Sequence, residues 1–180
     1  MSDAPKAMSL DIRMAVAGDA ERLTALARET FLQAFEARNT AENMRIYCDK
    51  AFALSTIQAE LADPASTFIW AEQQGIPAGY AKLRRGPAEA CIRGEKPVEL
   101  ERIYAMSDLI GAGVGKTLLH TSIKIAQAEG FHTLWLGVWE GNDRAIEFYK
   151  RQGFSSVGEH DFLLGKELQT DFIMQLDLRC

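Results

Sequence analysis

From residue 98 to residue 138 the chain reads strand, glycine-rich turn, amphipathic helix, strand, an order that leaves two parallel strands joined by a helical crossover. The first strand spans 98–105. Gly111-Ala112-Gly113-Val114-Gly115-Lys116 follows it, and Val114, Leu118, Leu119, Ile123 and Ala126 then repeat at helical spacing as one apolar stripe that Gly130 ends. The second strand, 133–138, is almost continuously apolar, as expected where both faces are covered. A chain carrying this unit has to build a sheet with helices layered against it.

The flanking segments supply the other parts. A short strand is expected at 10–16, and Gly18-Asp19 ends it and caps a helix whose Leu23, Leu26, Ala27, Thr30, Phe31 and Phe35 form one buried face. A second helical region runs from 40 to about 62 and stops before Asp63-Pro64. Strands at 67–72 and 79–85 around Gly75 read as a hairpin, and residues 86–97 as a loop. Asn142 is the N-cap of a helix reaching Gln152, stopped by Gly153, and strands near 154–164 and 170–178 close the chain. Residues 1–9 read as a flexible tail ahead of one domain over 10–178.

Charge removes one class of partner. With 20 Lys plus Arg against 25 Asp plus Glu and a net charge of -5, the chain lacks the basic footprint of a nucleic-acid-binding domain. No signal-peptide core follows Met1, and no apolar run approaches a membrane span, so a cytoplasmic protein without membrane contact is expected. Cys48, Cys91 and Cys180 show neither paired nor zinc-like spacing and read as reduced thiols. His120, His132 and His160 suggest no metal geometry and read as surface or packing residues, so no metal is expected. Between 155 and 180 the acids Glu159, Asp161, Glu167, Asp171 and Asp177 face only Lys166 and Arg179. Solvated turns explain this surplus, and the same surplus could attract a polycation.

The glycine turn, lying between a strand and a helix, is placed to hold a phosphate. A Walker A loop ending in Gly115-Lys116-Thr117 would need glycine where Ile110 stands. A dinucleotide fingerprint counted from Gly111 and Gly113 would need glycine where Lys116 stands. The segment does resemble the [QR]-x-x-G-x-[GA] loop of the GNAT superfamily of acetyl-CoA-dependent N-acetyltransferases, with Gly113 and Gly115 at the glycine positions and Ile110 departing from Gln or Arg. Its surroundings strengthen the likeness: Leu100-Glu101-Arg102-Ile103-Tyr104-Ala105 upstream, then Trp135 through Asn142, Ala145-Ile146-Glu147-Phe148-Tyr149 and Gly153-Phe154. Glu29-Thr30-Phe31, Asn39 through Met44 with Tyr47, Val157-Gly158-Glu159-His160 and Gln169 through Met174 resemble the bacterial PaiA-type group, similar to spermidine/spermine N-acetyltransferases.

The resemblance implies an α/β fold, a mixed, mostly antiparallel twisted sheet of about seven strands flanked by about four helices. It implies an enzyme that takes acetyl-CoA as co-substrate and acetylates a primary amine by direct attack in a ternary complex, a polyamine being the favoured acceptor and a homodimer a common form. Backbone groups of Ile103, Tyr104 and Ala105 would meet the acetyl and pantetheine part. Gly111, Ala112, Gly113, Val114, Gly115 and Lys116 would cradle the pyrophosphate. Asn142 would lie near the pantetheine arm and Lys150 near the terminal phosphate, although an N-cap and an exposed helix lysine explain both. Tyr149 would protonate the leaving thiolate. An alkylamine has a pKa of about 10.4, so a base must remove its proton at neutral pH. Glu101 is the candidate by position, Glu99 its same-face reserve, and pairing of Glu101 with Arg84, Arg85 or Arg102 the structural alternative. Peptide or aminoglycoside-like amines, or a non-catalytic acyl-CoA-binding regulator, stay open as rivals.

Overall fold

The computed structural model describes residues 10–179, so the tail expected over 1–9 and Cys180 lie outside it. Among the described residues the strands are β1 (Asp11–Met14), β2 (Ser66–Gln73), β3 (Ile76–Arg84), β4 (Pro97–Ala105), β5 (Thr133–Trp139), β6 (Ser155–Leu164) and β7 (Glu167–Asp177). They form one sheet in the order β1-β2-β3-β4-β5-β7-β6. Only β4 and β5 run parallel, joined through a helix as the sequence dictates; every other neighbouring pair is antiparallel. The helices are α1 (Ala20–Phe35), α2 (Ala41–Ala51), α3 (Leu54–Ala62), α4 (Val114–Ala128) and α5 (Asp143–Arg151).

Two cores sandwich the sheet. On one face Val114, Leu118, Leu119 and Ala126 of α4 and Ile146 and Tyr149 of α5 pack on Ala81, Leu83, Val98, Leu100, Leu134 and Leu136. On the other, α1, α2 and α3 bring Leu23, Leu26, Phe31, Met44, Cys48 and Ile57 against Phe68, Trp70 and Tyr80. The α1 stripe is buried as its spacing requires, except for Phe35, which is half-buried.

The helical region expected over 40–62 is two helices, which makes five where about four were expected. Thr40 caps the first, its hydroxyl accepting from the Asn43 N–H at 3.2 Å. The break falls at Phe52 and the extended Ala53. On one unbroken helix Ile57 would lie roughly 220° around the axis from Met44. The break lets Met44, Cys48, Phe52 and Ile57 enter the same core. Cys48 and Cys91 carry free thiols, and no described helix is long and apolar enough to cross a membrane.

Asp19 precedes α1 as expected, but its carboxylate does not cap that helix. It takes Arg13 in a two-pronged pair at 2.7 and 2.8 Å and the Val16 N–H at 2.8 Å, tying β1 to the start of α1. The Arg13 hydrogen bonds outweigh burial and hold the Asp19 carboxyl at about 2. A carboxyl depressed in the folded state stabilises above its unfolded pKa and loses that contribution as pH falls toward the folded value. Asp19→Asn should therefore lower stability by about 1–2 kcal/mol at neutral pH, with the gap to the parent closing between pH 4 and 2. Urea unfolding curves across that range measure it.

Candidate active site

β4 and β5 pair only at Pro97↔Thr133, Val98↔Leu134 and Glu99↔Trp135. Beyond that point β4 stays with β3 to Ala105 while β5 stays with β7 to Trp139, and a wedge opens between them. An extra residue in β4 sits at the apex. Lys82 pairs with Arg102 but Leu83 with Leu100, which leaves Glu101 as a bulge. Bulges bend and twist the strand that carries them. They also shift its alternation: Val98 and Leu100 join the α4 core, and so do Ile103 and Ala105. Glu101 and Arg102 consequently both turn to the α3 side, where they meet Lys82 and Glu60.

At the α4 end the glycine turn is an open cradle. Gly111 and Gly113 have φ of +92° and +90°, a conformation that favours glycine, and Gly113 starts α4. A Cβ on Gly115 would meet nothing within 4 Å, so no neighbouring group crowds the first turn of α4, whose leading N–H groups have no partner within the helix. Ala112 and Lys116 are exposed beside them, and the Val114 side chain is buried beneath. This arrangement suits an anion such as a pyrophosphate.

Around the wedge, Asn142 keeps its capping role, accepting from the Ala145 N–H at 3.2 Å. Lys150 is exposed and pairs with Glu147 at 2.9 Å. Tyr149 is 8% exposed, edge-on to Phe148 and Phe154, and burial pushes its phenol up, so it holds its proton throughout the neutral range. Burial also pushes Tyr104 up, and the Tyr149 charge adds to this, so the two phenols are close enough to sense each other. Tyr104 packs its ring against Phe31, Phe35 and Tyr80. On the β5 arm Gly137 is exposed between half-buried Trp139 and buried Trp135, leaving a floor without a side chain.

The charges on the α1–α3 face form a partly buried network. Lys82, 2% exposed, places Nζ 2.8 Å from Glu60 and 2.6 Å from Glu101. Arg102 holds Glu60 at 2.7 and 3.0 Å and lies over the Phe52 ring. Arg84 grips Glu99 at 2.5 Å and reaches Glu101 at 3.7 Å, so the two glutamates share a face as their spacing requires. Arg85 takes no part, pairing instead with Glu129. Burial pushes Glu60 up, but Arg102 and Lys82 bring it below the ordinary range; for Glu99 burial outweighs Arg84 and the carboxyl is raised. Lys82, the main partner of Glu101, and Glu60 escape a sequence reading. The break in alternation between Leu100 and Ile103 was the available signal.

The acetyltransferase (GNAT) family model matches residues 22–154. An uncharacterized N-acetyltransferase of Lactobacillus delbrueckii subsp. lactis is 34% identical over 157 residues, covering 87% of this chain and 91% of that one. The PaiA N-acetyltransferase of Thermoplasma acidophilum, solved in complex with coenzyme A, superposes with a TM-score of 0.76 at 24% identity, covering 94% of this chain and 99% of that one. The yncA structure of Salmonella typhimurium, solved with its cofactor acetyl-CoA, gives 0.68 at 22% identity over 96% and 95% of the two chains. At these identities the two structures speak to the fold.

Removing one member of a buried ion network leaves its partners uncompensated, which costs about 3–5 kcal/mol. Lys82→Met should destabilise the chain by roughly 3 kcal/mol. Lys82→Ala should be no milder, since it also removes the buried aliphatic stem and leaves a cavity. Urea denaturation of both variants checks this.

Proposed function

Because the chain belongs to the acetyltransferase (GNAT) family and is an N-acetyltransferase of that type, we propose that it moves the acetyl group of acetyl-CoA onto a primary amine of a small polycation. A polyamine such as spermidine or spermine is the favoured acceptor. The observation that carries this reading is the wedge: an anion cradle at its α4 end and carboxylates on its α1–α3 face, with Tyr149 buried in the core that α4 and α5 share.

In this reading the residues divide the work. Main-chain N–H groups of Gly111 and of Gly113 to Lys116 hold the pyrophosphate with little reorganisation, since two of the glycines already hold the turn open and Gly115 offers no side chain to obstruct it, while the Ala112 N–H is given to the Leu109 carbonyl at 3.1 Å and steadies the turn. Ile103, Tyr104 and Ala105 lie on β4 beyond its last pairing with β5, so backbone on that edge can meet the acetyl and pantetheine part. Asn142 fixes the start of α5 and thereby the placement of Tyr149, while Lys150 reaches the cofactor only by leaving Glu147. The neutral amine attacks the thioester carbonyl, the C–N bond forms, the C–S bond breaks, and Tyr149 gives its proton to the departing thiolate. Glu101 and Glu99 hold negative charge at the apex for a cationic acceptor. The reaction is assigned to one domain over 10–178, acting in the cytoplasm.

A free-thiol release assay with acetyl-CoA and a panel of spermidine, spermine, peptides and aminoglycosides tests the reading. Polyamine turnover is expected; turnover with peptides alone would remove the polyamine acceptor, and no turnover on any amine would remove the enzyme reading. Tyr149→Phe should lower kcat by about 100-fold. Gly115→Val should fold normally, since the added atoms enter open space, yet weaken acetyl-CoA binding at least about tenfold by calorimetry.

A further inference from the structure

His160 lies on β6, the edge strand, which β7 separates from β5 and the wedge. Its register partner is Asp171 on β7, which in turn pairs with Trp139 of β5. The ring is 29% exposed and is held from two sides. Glu89, from the loop between β3 and β4, meets Nδ1 at 2.9 Å. A carboxylate can only accept, so this contact places the ring proton on Nδ1 and leaves the lone pair of the neutral ring on Nε2. Asp171 Oδ2 stands 3.7 Å from Nε2, too far for a hydrogen bond but close enough to act as counterion once Nε2 is protonated.

Nε2 also borders the floor of the wedge. A Cβ placed on Gly137 would come within 3.3 Å of His160 Nε2 and 3.4 Å of Asp171 Oδ2. Gly137 lies two positions past the last β4–β5 pair, as Glu101 does on the opposite arm. The missing side chain at 137 therefore lets the imidazole and the Asp171 carboxylate lie against the β5 arm of the wedge. Glu101, across the wedge, is already engaged: its Oε2 is shielded from solvent with Lys82 Nζ 2.6 Å away.

We infer that His160 is the group that takes the proton from the acceptor amine, oriented by Glu89 and with Asp171 as counterion, the role expected from sequence for Glu101. The inference rests on the acetyltransfer reading of the same site. The ammonium of the acceptor gives one proton to Nε2, leaving a neutral amine and an imidazolium between two carboxylates. The amine then attacks the thioester, the C–S bond breaks as the thiolate takes the Tyr149 proton, and the second nitrogen proton passes, directly or through water, to the Tyr149 oxygen, so that the one net proton released stays on His160. The carboxylates at and beyond the last β4–β5 pair, Glu99 and Glu101, are each tied to a cation, Arg84 and Lys82 respectively, and Glu60 behind them is held by Lys82 and Arg102.

The test compares the pH dependence of kcat and of kcat/KM for the parent, His160→Gln, Glu101→Gln and Glu89→Gln, each with its acetyl-CoA dissociation constant and melting temperature. His160→Gln should lose about 100-fold or more in kcat with unchanged acetyl-CoA affinity. It should also lose the acidic limb of the profile, where the ring protonates and activity falls, and regain activity in proportion to added imidazole. Glu101→Gln should keep that limb. Glu89→Gln, which leaves the ring in place, should move the limb and thus reports on the assignment even if His160→Gln does not fold. An acidic limb unchanged in Glu89→Gln, or a folded His160→Gln within about threefold of the parent across pH, would overturn the role of His160 while leaving the acetyltransferase reading intact. A parent without turnover on any amine would overturn both.

Discussion

One extra residue in β4 governs the site. Without the bulge at Glu101, strict alternation from Val98 and Leu100 would send residues 102 and 104 into the α4 core and turn 101 and 103 the other way. A guanidinium and a phenol would then be buried among leucines, and Ile103 would face the charged side. With the bulge, Ile103 and Ala105 keep the apolar face intact, and Arg102 and Tyr104 reach the α1–α3 face with Glu101. The same insertion adds a local bend where β4 leaves β5. The two consequences cannot be separated: the strand opens where its polar residues change sides.

Opening a sheet there exposes a problem in desolvation, because the charges gathered at the apex lie partly out of water. Each ion needs a partner at short range, and the network provides them in overlapping pairs, with Glu60 shared by Lys82 and Arg102, and Glu101 shared by Lys82 and Arg84. Aromatic rings line the cations that cannot reach water, Phe68 beneath Lys82 and Phe52 beneath Arg102. A carboxylate engaged in this way is well suited to hold a fixed negative charge and poorly placed to exchange protons with a substrate. The imidazole at the far side of the wedge has the opposite properties, with one nitrogen fixed by hydrogen bonding and the other left with its lone pair.

The sequence revealed elements through local chemistry and missed contacts between distant segments. The α1 stripe, the Asn142 cap, the glycine turn and the parallel crossover are all legible, since each depends on neighbours within a few residues. The break after α2 was missed because Met44, Cys48 and Phe52 share a helical face by themselves; only the position of Ile57 contradicts one continuous helix. Glu101 was located by its neighbours in the chain, but Lys82 and Glu60 are 19 and 41 positions away and meet it through the β3 pairing and the seat of α3. His160 stands among acids in the sequence and reads there as a surface or packing residue. Its two partners come from a loop and from another strand, and no spacing rule connects positions 89, 160 and 171.

The acidic surplus near the end of the chain also divides once each side chain has a place. Asp177 is exposed and bound to Arg179, and Glu167 is exposed with Asn43 as a neighbour. Glu159 and Asp161 alternate with His160 along β6 and are exposed. Asp171 alone turns inward, where burial raises its carboxyl and one oxygen lacks a partner. Exposed charges can draw a polycation toward this edge from a distance limited by salt to about 10 Å, but they cannot choose the nitrogen that reacts. On the proposed role of His160, that choice falls to the imidazole and its counterion Asp171 beside Gly137. Attraction and selection are thus assigned to different members of what the composition shows as a single run of acids.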